Sequence, residues 1–263
     1  GNSITDNKIV KRDYFDLFPS IFINQKLSSN HRISASYSKR IQRPDYESLN
    51  PFVYIIDDYT YEKGNPFLKP QYTNSFEMTY MYQNKYLAQA GYSSIKDMIA
   101  EVILGDTAKK ALYQTNENID HQKMYRLTLS APVQITKWWK TNNNFNGIEM
   151  DFTSADLKGQ RLKASQFFVI LNSSHSFKIN KDISAEVSGK YTSPLVYGTL
   201  KLKSEYTVDA GLSKSVLNKK GSLKLAATDI FNTKKQNVSS VYPGVNYAVK
   251  QKYETRVFRL SFT

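Results

Sequence analysis

Six stretches of the chain alternate apolar and polar residues, and the connections between them alternate short and long. From Tyr125 the apolar positions are Tyr125, Leu127, Leu129, Ala131, Val133 and Ile135, and the intervening ones are Arg126, Thr128, Ser130, Pro132 and Gln134. A two-residue period is the strand period, with one face apolar and the other polar. The same pattern recurs in Ile183, Ala185, Val187, Gly189 and Tyr191 against Ser184, Glu186, Ser188 and Lys190. It returns in Leu202, Tyr206, Val208, Ala210 and Leu212 against Lys203, Glu205, Thr207 and Asp209. Strands this long, with one greasy face and a short-turn, long-loop rhythm, predict a barrel wall in a lipid bilayer rather than a soluble core.

Composition is compatible with that reading. A chain of 263 residues suffices for one large domain or two ordinary ones. The absence of cysteine excludes disulfides, thiolate metal sites and cysteine nucleophiles. Lys and Arg number 36 against 23 acidic residues, a formal charge of +13 that favours anionic partners. The basic residues are dispersed, with Lys85, Lys137, Lys181, Lys219 and Lys220 at or beside predicted turns. Dispersion describes a solvated surface, so nucleic acid is not expected as a partner. No run of about 18 apolar residues occurs, so no transmembrane helix is expected, and barrel strands escape such a search. The start, Gly1-Asn2-Ser3-Ile4-Thr5, is not a signal peptide, so processing or truncation is expected to have removed whatever targets the chain.

Small or polar connections fall at 28–30, 84–85, 136–137, 180–182 and 218–221, as hairpin turns do. They are too far apart for a soluble meander with turns every ~8–12 residues. Longer connections lie at 41–73, 94–122, 151–164, 193–201 and 232–249. The strands flanking the turns are 15–27 with 31–40, 74–83 with 86–94, 123–135 with 138–152, 165–179 with 183–192, and 202–217 with 222–231. A last strand covers 250–262. The expectation is an all-β, antiparallel up-and-down meander of about ten to twelve strands, each near the ~9–11 residues that cross a bilayer, forming part of a transmembrane β-barrel. Trp138, Trp139, Tyr82, Tyr86 and Phe177 abut short turns and read as an interfacial aromatic girdle.

No catalytic signature is present: no His-Glu-x-x-His, nucleophile elbow, phosphate loop or dinucleotide fingerprint. An enzyme is therefore not expected, and no cofactor is called for. His31, His121 and His175 are scattered, and Asp57-Asp58 lacks the spaced oxygen ligands of a calcium loop, so no metal site is predicted. The most distinctive segment is the first long loop. Pro44, Pro51, Pro66 and Pro70 constrain it, and Gly64-Asn65-Pro66 reads as a turn. Its aromatics, Tyr46, Phe52, Tyr54, Tyr59, Tyr61 and Phe67, suit either self-packing of the loop or stacking on a flat or sugar-like ligand. Self-packing is the plainer reading.

That loop carries a family resemblance. Arg40-Ile-Gln-Arg-Pro-Asp-Tyr-Glu-Ser-Leu-Asn-Pro-Phe52 and the following Tyr59-Thr-Tyr-Glu-Lys-Gly-Asn-Pro-Phe-Leu-Lys-Pro-Gln-Tyr-Thr-Asn-Ser-Phe-Glu77 resemble the barrel of Bacteroidetes TonB-dependent outer-membrane receptors. Ala227-Thr-Asp-Ile-Phe-Asn-Thr233 is similar to the family's penultimate-strand motif, and Arg256-Val-Phe-Arg-Leu-Ser-Phe262 to its closing strand. The resemblance implies location in the cell outer membrane and partners that follow from it: outer-membrane lipid, a transported ligand (siderophore, cobalamin, glycan or peptide), and the TonB system acting through a plug. Family members carry that plug and a 22-stranded barrel. Against them, residues 1–263 read as the C-terminal half of a barrel domain with the plug absent and two sheet edges to be paired.

The leading expectation is thus a fragment of an importer whose extracellular loops capture ligand. Tyr46, Tyr54, Tyr59 and Tyr61 are the expected ligand contacts. Two other readings compete: a soluble β-sandwich carbohydrate-binding module, whose strand faces would bury each other, and an outer-membrane barrel with no transport role.

Overall fold

The computed structural model describes residues 16–106, 108–240, 242 and 245–263, together with the backbone of two paired strands, β1 (Asn2–Thr5) and β2 (Lys8–Lys11). The predicted strand start at Phe15 lies outside the described residues. The chain continues through β3 (Ser20–Lys26), β4 (His31–Gln42), a short helix α1 (Tyr46–Leu49), β5 (Tyr54–Asp57), β6 (Thr60–Glu62) and β7 (Gln71–Tyr82). Then follow the long strands β8 (Tyr86–Asp106), β9 (Ala111–Gln134), β10 (Trp139–Leu157) and β11 (Gln160–Lys178). After them come β12 (Ile183–Thr192), β13 (Leu195–Tyr197), β14 (Leu200–Leu202), β15 (Glu205–Val216), β16 (Gly221–Thr228), β17 (Lys235–Ser240), β18 (Ala248–Lys252) and β19 (Val257–Phe262).

One sheet dominates. Its strand order is β19-β16-β15-β12-β11-β10-β9-β8-β7-β4-β3, an uninterrupted antiparallel meander. The eleven strands of that path are the eleven read from the sequence. β3 and β19 end the order and do not pair with each other.

Register makes the alternation two-dimensional. Residues directly opposite share a face, so the apolar set of β9 aligns with its neighbours' apolar sets. Leu129 faces Ala88 on β8 and Phe145 on β10, and Phe145 faces Leu171 on β11. Leu212 on β15 faces Leu225 on β16, which faces Leu260 on β19. These side chains are exposed: Leu129 41%, Leu127 45%, Leu225 49%, Leu260 68%. The opposite face carries the polar rows, such as Thr128 opposite Gln89 and Asn146, and Ser188 opposite Ser174 and Asp209.

The exposed area decides between a soluble and a membrane wall. The chain exposes 17478 Å². A soluble monomer of 30.2 kDa exposes roughly 11,700 Å² by the usual size scaling. Two sandwiched sheets would bury their apolar faces against each other; here the apolar face has no protein layer over it.

The buried core lies elsewhere. Met98, Ala100, Val102, Leu104, Ile119, Phe152, Leu157, Leu162 and Tyr242 cluster at the long-connection end. Two predicted long loops are in fact strand. The 94–122 connection is the continuation of β8 and β9, paired out to Asp106 opposite Ala111. The 151–164 connection is the continuation of β10 and β11, closed by Lys158 and Gly159 at φ 52° and 85°. The physical reason differs between the two: β10 and β11 bury Phe152, Ser154 and Leu162 on one face and leave Thr153, Ala155 and Lys163 exposed on the other, whereas the β8 extension is apolar and covered on both faces at its end. Val102, Ile103 and Leu104 are each less than 5% exposed, so a continuous apolar run replaces alternation. The 193–201 and 232–249 connections likewise contain β13, β14 and β17, which join β18 in a separate four-stranded sheet. The predicted last strand divides accordingly: β18 belongs to that small sheet and β19 closes the wall order.

The short turns are tight. At Tyr82–Lys85 the Lys85 N–H donates to the Tyr82 carbonyl (3.0 Å), with Gln83 and Asn84 at φ 51° and 52°. Two left-handed central residues make the mirror-image turn that matches strand twist.

Candidate functional site

The long-connection end of the wall is an ordered cap. The first long loop builds its outer part. Asp45 caps α1, accepting from the Ser48 N–H (2.7 Å). Gly64 then packs against that helix: its N–H donates to the Asn50 carbonyl (2.8 Å), and a Cβ there would overlap main-chain atoms of Asn50 and Glu47. Only glycine fits so close an approach.

The loop is fastened to the wall as well as to itself. β6 pairs in parallel with β9, placing Tyr61 beside Tyr113, and the Lys63 N–H donates to the Gln114 carbonyl (3.1 Å). Asn65 donates to the Asn116 carbonyl (3.1 Å) and to Glu117 (3.0 Å). Asn118 spans the next step, accepting from the Lys69 N–H (2.7 Å) and donating to the Asp97 carbonyl (2.8 Å). Leu68 is wholly buried at this seam.

The four predicted contact tyrosines separate into two groups. Tyr46, Tyr54 and Tyr59 are 77%, 70% and 72% exposed, on α1, on β5 and in the β5–β6 turn. Phe52 (79%) and Ile55 (73%) are likewise exposed, so the loop does not use any of the five as its own core. Tyr61 is 6% exposed. Its ring stacks on Tyr113 at 5.5 Å, with Lys109 4.7 Å from the Tyr61 centroid and Lys63 4.4 Å from that of Tyr113. Its hydroxyl donates to Asp106 (2.7 Å). Burial first, and then the Asp106 carboxylate, pushes the Tyr61 phenol up to about 12. The same hydrogen bond, aided by the main-chain N–H groups of Lys109 and Ala108, holds Asp106 below the usual carboxylate range. Tyr61 thus anchors the hairpin that presents Tyr54 and Tyr59. This Tyr-Lys-Tyr-Lys cluster was not legible in the sequence, because Tyr113 and Lys109 reach it only through the β8–β9 extension.

A deep clamp sits at the Ala227–Thr233 motif. Asp229, 2% exposed, accepts from the Thr255 hydroxyl (2.6 Å), the Thr233 N–H (2.9 Å) and hydroxyl (3.1 Å), and the Lys234 N–H (3.2 Å). Burial favours the protonated form, but these donors override it and lower the carboxyl to about 2. The clamp ties the end of β16 to the segment that leads into β19.

Below the cap, the polar face carries an ion pair between Glu77 and Arg126. The two lie in one row on either side of Gly91, whose missing side chain leaves the guanidinium its path. The histidines stay apart, with His31 against Tyr80 (2.6 Å) and His175 in a separate network with Ser173 and Trp139.

Comparison with solved structures gives the same architecture. A ferric enterobactin receptor mutant (PfeA) of Pseudomonas aeruginosa, in complex with enterobactin, matches 93% of this chain and 40% of its own, at TM-score 0.59 and 17% identity. The siderophore receptor PirA of Pseudomonas aeruginosa matches 93% and 41%, at TM-score 0.61 and 13% identity. The copper transporter OprC matches 94% and 39%, at TM-score 0.63 and 15% identity. The chain spans about two fifths of the length of each. No curated protein matches. The profile of the outer membrane protein beta-barrel family matches residues 1–263. Wall, cap and profile agree: the chain is a cell outer-membrane protein that belongs to the outer membrane protein beta-barrel family.

Proposed function

We propose that this chain is the C-terminal half of the barrel of a TonB-dependent receptor of the Bacteroidetes type, which captures a ligand at its cap and imports it along the polar face. The carrying observation is the division of labour along the strands. An apolar face without protein cover fills the bilayer height, and an ordered, hydrogen-bonded cap with an exposed aromatic surface stands beyond it. A wall serving only as a barrier has no need of a cap held by Asn65, Asn118 and Tyr61. The resemblance of the loop and closing strands, and the likeness to receptors of siderophores and to a copper transporter, support import over a purely structural role. Gating and the contact with the inner-membrane motor fall to parts of the receptor outside residues 1–263, the plug foremost.

In this reading Tyr46, Tyr54 and Tyr59 contact the ligand, and Tyr61 positions the hairpin. The ligand is a siderophore, cobalamin, glycan or peptide. The test is uptake of labelled members of each class by cells carrying the full-length receptor, with and without TonB. Import of one class, lost without TonB and weakened roughly tenfold or more by Tyr54→Ala with Tyr59→Ala, is the expected result, since a base- or sugar-stacking aromatic contributes on the order of 1–3 kcal/mol. Passive conductance with no TonB-dependent uptake of any class would replace this reading with that of a structural barrel.

A further inference from the structure

The strands beyond the wall form a sheet of their own, and one of its faces is a lattice of lysines. β14, β17 and β18 pair antiparallel, and residues opposite one another share a face. Leu202, Val238 and Val249 make one row across the three strands, and all are half-buried. The residues between them point the other way. One such row is Lys201, Ser239 and Ala248, and another is Lys235 with Lys252. Between these two rows stand Asn237 and Lys250, with Lys203 beside them, its N–H donating to the Asn237 carbonyl (3.1 Å). Successive rows are ~7 Å apart and β14 lies ~10 Å from β18, so the five ammonium groups share a face of roughly 10 by 14 Å.

All five lysines are exposed, and none forms an ion pair among the described residues. Residues 195–203, 235–240 and 248–252 contain no acid. Lys235 and Lys252 are directly opposite, an arrangement of like charges that costs a sheet stability. No carboxylate of the sheet offsets that cost, whereas an anion seated on the face would. The sheet is part of the cap. Tyr242, between β17 and β18, is buried in the cap core and donates to the Leu157 carbonyl (2.5 Å). The Tyr197 ring of β13 meets that of Phe152 edge-on at 6.1 Å.

We propose that this face holds an acidic glycan, its carboxylate or sulfate groups set against the five lysines. The inference rests on the reading of the cap as the ligand-capturing end, and it selects one of the ligand classes named there. The chemistry of the face makes the selection. Lysine offers a compact point charge, which does not demand the planar, bidentate acceptors that arginine's fork prefers. Asn237 and Ser239 stand among the lysines and supply hydrogen bonds to sugar hydroxyls. No aromatic ring lies among these residues, so the face lacks the stacking platform of a single-stranded nucleic-acid site. An open lattice of charges fits a chain that repeats its charge rather than a compact ligand that carries one.

The test uses the full-length receptor in neutral detergent, titrated in a calorimeter with oligogalacturonate and with a heparin-derived oligosaccharide. A maltooligosaccharide of the same length is the neutral control. At least one acidic glycan is expected to bind about tenfold or more tightly than the neutral one, and to weaken as salt rises. The triple variant Lys235→Gln, Lys250→Gln, Lys252→Gln is expected to weaken that binding about tenfold or more. The triple variant Lys85→Gln, Lys137→Gln, Lys181→Gln removes the same charge at the short turns and is expected to change binding less than about twofold. Should the first triple variant fail to fold, judged by heat-modifiable migration, Lys252→Glu places a carboxylate opposite Lys235, keeps the sheet paired and is expected to weaken binding about fivefold. Four results would overturn the proposal: equal affinity for acidic and neutral glycans, affinity unchanged in the cap variants, an equal loss in the short-turn variant, or equally tight binding of an oligoglutamate of matched charge. Uptake separates the two readings. An acidic glycan bound through these lysines but never imported contradicts import alone. TonB-dependent uptake of another class by a receptor that binds no acidic glycan contradicts this inference alone.

Discussion

At the residue scale, the wall shows how polar side chains survive on a face turned to lipid. Trp139 Nε1–H donates to His175 Nδ1 (3.2 Å), which puts the ring proton on Nε2, directed at Ser173 Oγ (3.1 Å). Ser173 donates to Asn143 Oδ1 (2.6 Å), and Asn143 Nδ2 donates to Thr141 Oγ1 (3.0 Å). The donors run in one direction and each finds an acceptor, as an environment without water requires. Ser173→Ala leaves the His175 donor and the Asn143 acceptor unpaired, and is expected to cost about 1–3 kcal/mol in unfolding measured in detergent. Asp229 offers a second test. Its folded pKa, about 2, lies below the ordinary carboxylate value. The stability it contributes is therefore present above about pH 4, the unfolded value, and is lost as pH falls toward 2. Asp229→Asn should be less stable than the native chain at pH 7, and the gap should close by pH 2; melting temperatures across that range check it.

At the scale of elements, the cap stands or falls with the docking of the first loop on β9. Gly64→Ala forces a methyl group into the main chain of Asn50 and Glu47. The expected outcome is faster proteolysis within 50–66 with the wall strands still protected, read by mass spectrometry of the fragments. How far elements were legible follows from what covers their faces. Tyr125–Ile135 was legible because lipid and water impose opposite preferences on adjacent residues. The Met98–Leu104 stretch was not, because Met98, Ala100, Val102 and Leu104 pack with Phe152, Leu162 and Tyr242 on one face while Ile99 and Ile103 make the other face apolar too, which erases the period. The tyrosines show the same limit: Tyr54, Tyr59 and Tyr61 look alike in sequence. Tyr61 alone falls beside Tyr113 through a parallel pairing that no local pattern announces. The division of residues 250–262 between two sheets was hidden for a related reason, since β18 and β19 both alternate and differ only in their partners.

At the scale of the whole molecule, the account rests on the direction each face looks. The run from Tyr125 to Ile135, at roughly 3.3 Å per residue and a tilt near 45°, rises about 23 Å, close to the ~25 Å apolar band of an outer-membrane wall. Tyr125, its ring 5.0 Å from that of Tyr92, and the Trp138–Trp139–Phe177 cluster, with centroids 5.7–6.1 Å apart, stand at its two ends. Leu127→Arg should then destabilise the barrel in bilayers by about 2–4 kcal/mol, and Thr128→Arg, one residue away on the polar face, by about 0–1 kcal/mol. The most direct measurement is a spin-label scan. The chain has no cysteine, so single cysteines can be placed at each position from 125 to 135 in the full-length protein. Relaxation by oxygen, which partitions into lipid, is compared with relaxation by a water-soluble nickel chelate. The account predicts strict alternation, with oxygen dominant at 125, 127, 129, 131, 133 and nickel dominant at 126, 128, 130. Equal access of the nickel chelate to both sets, or shielding of the odd positions from both reagents, would contradict it.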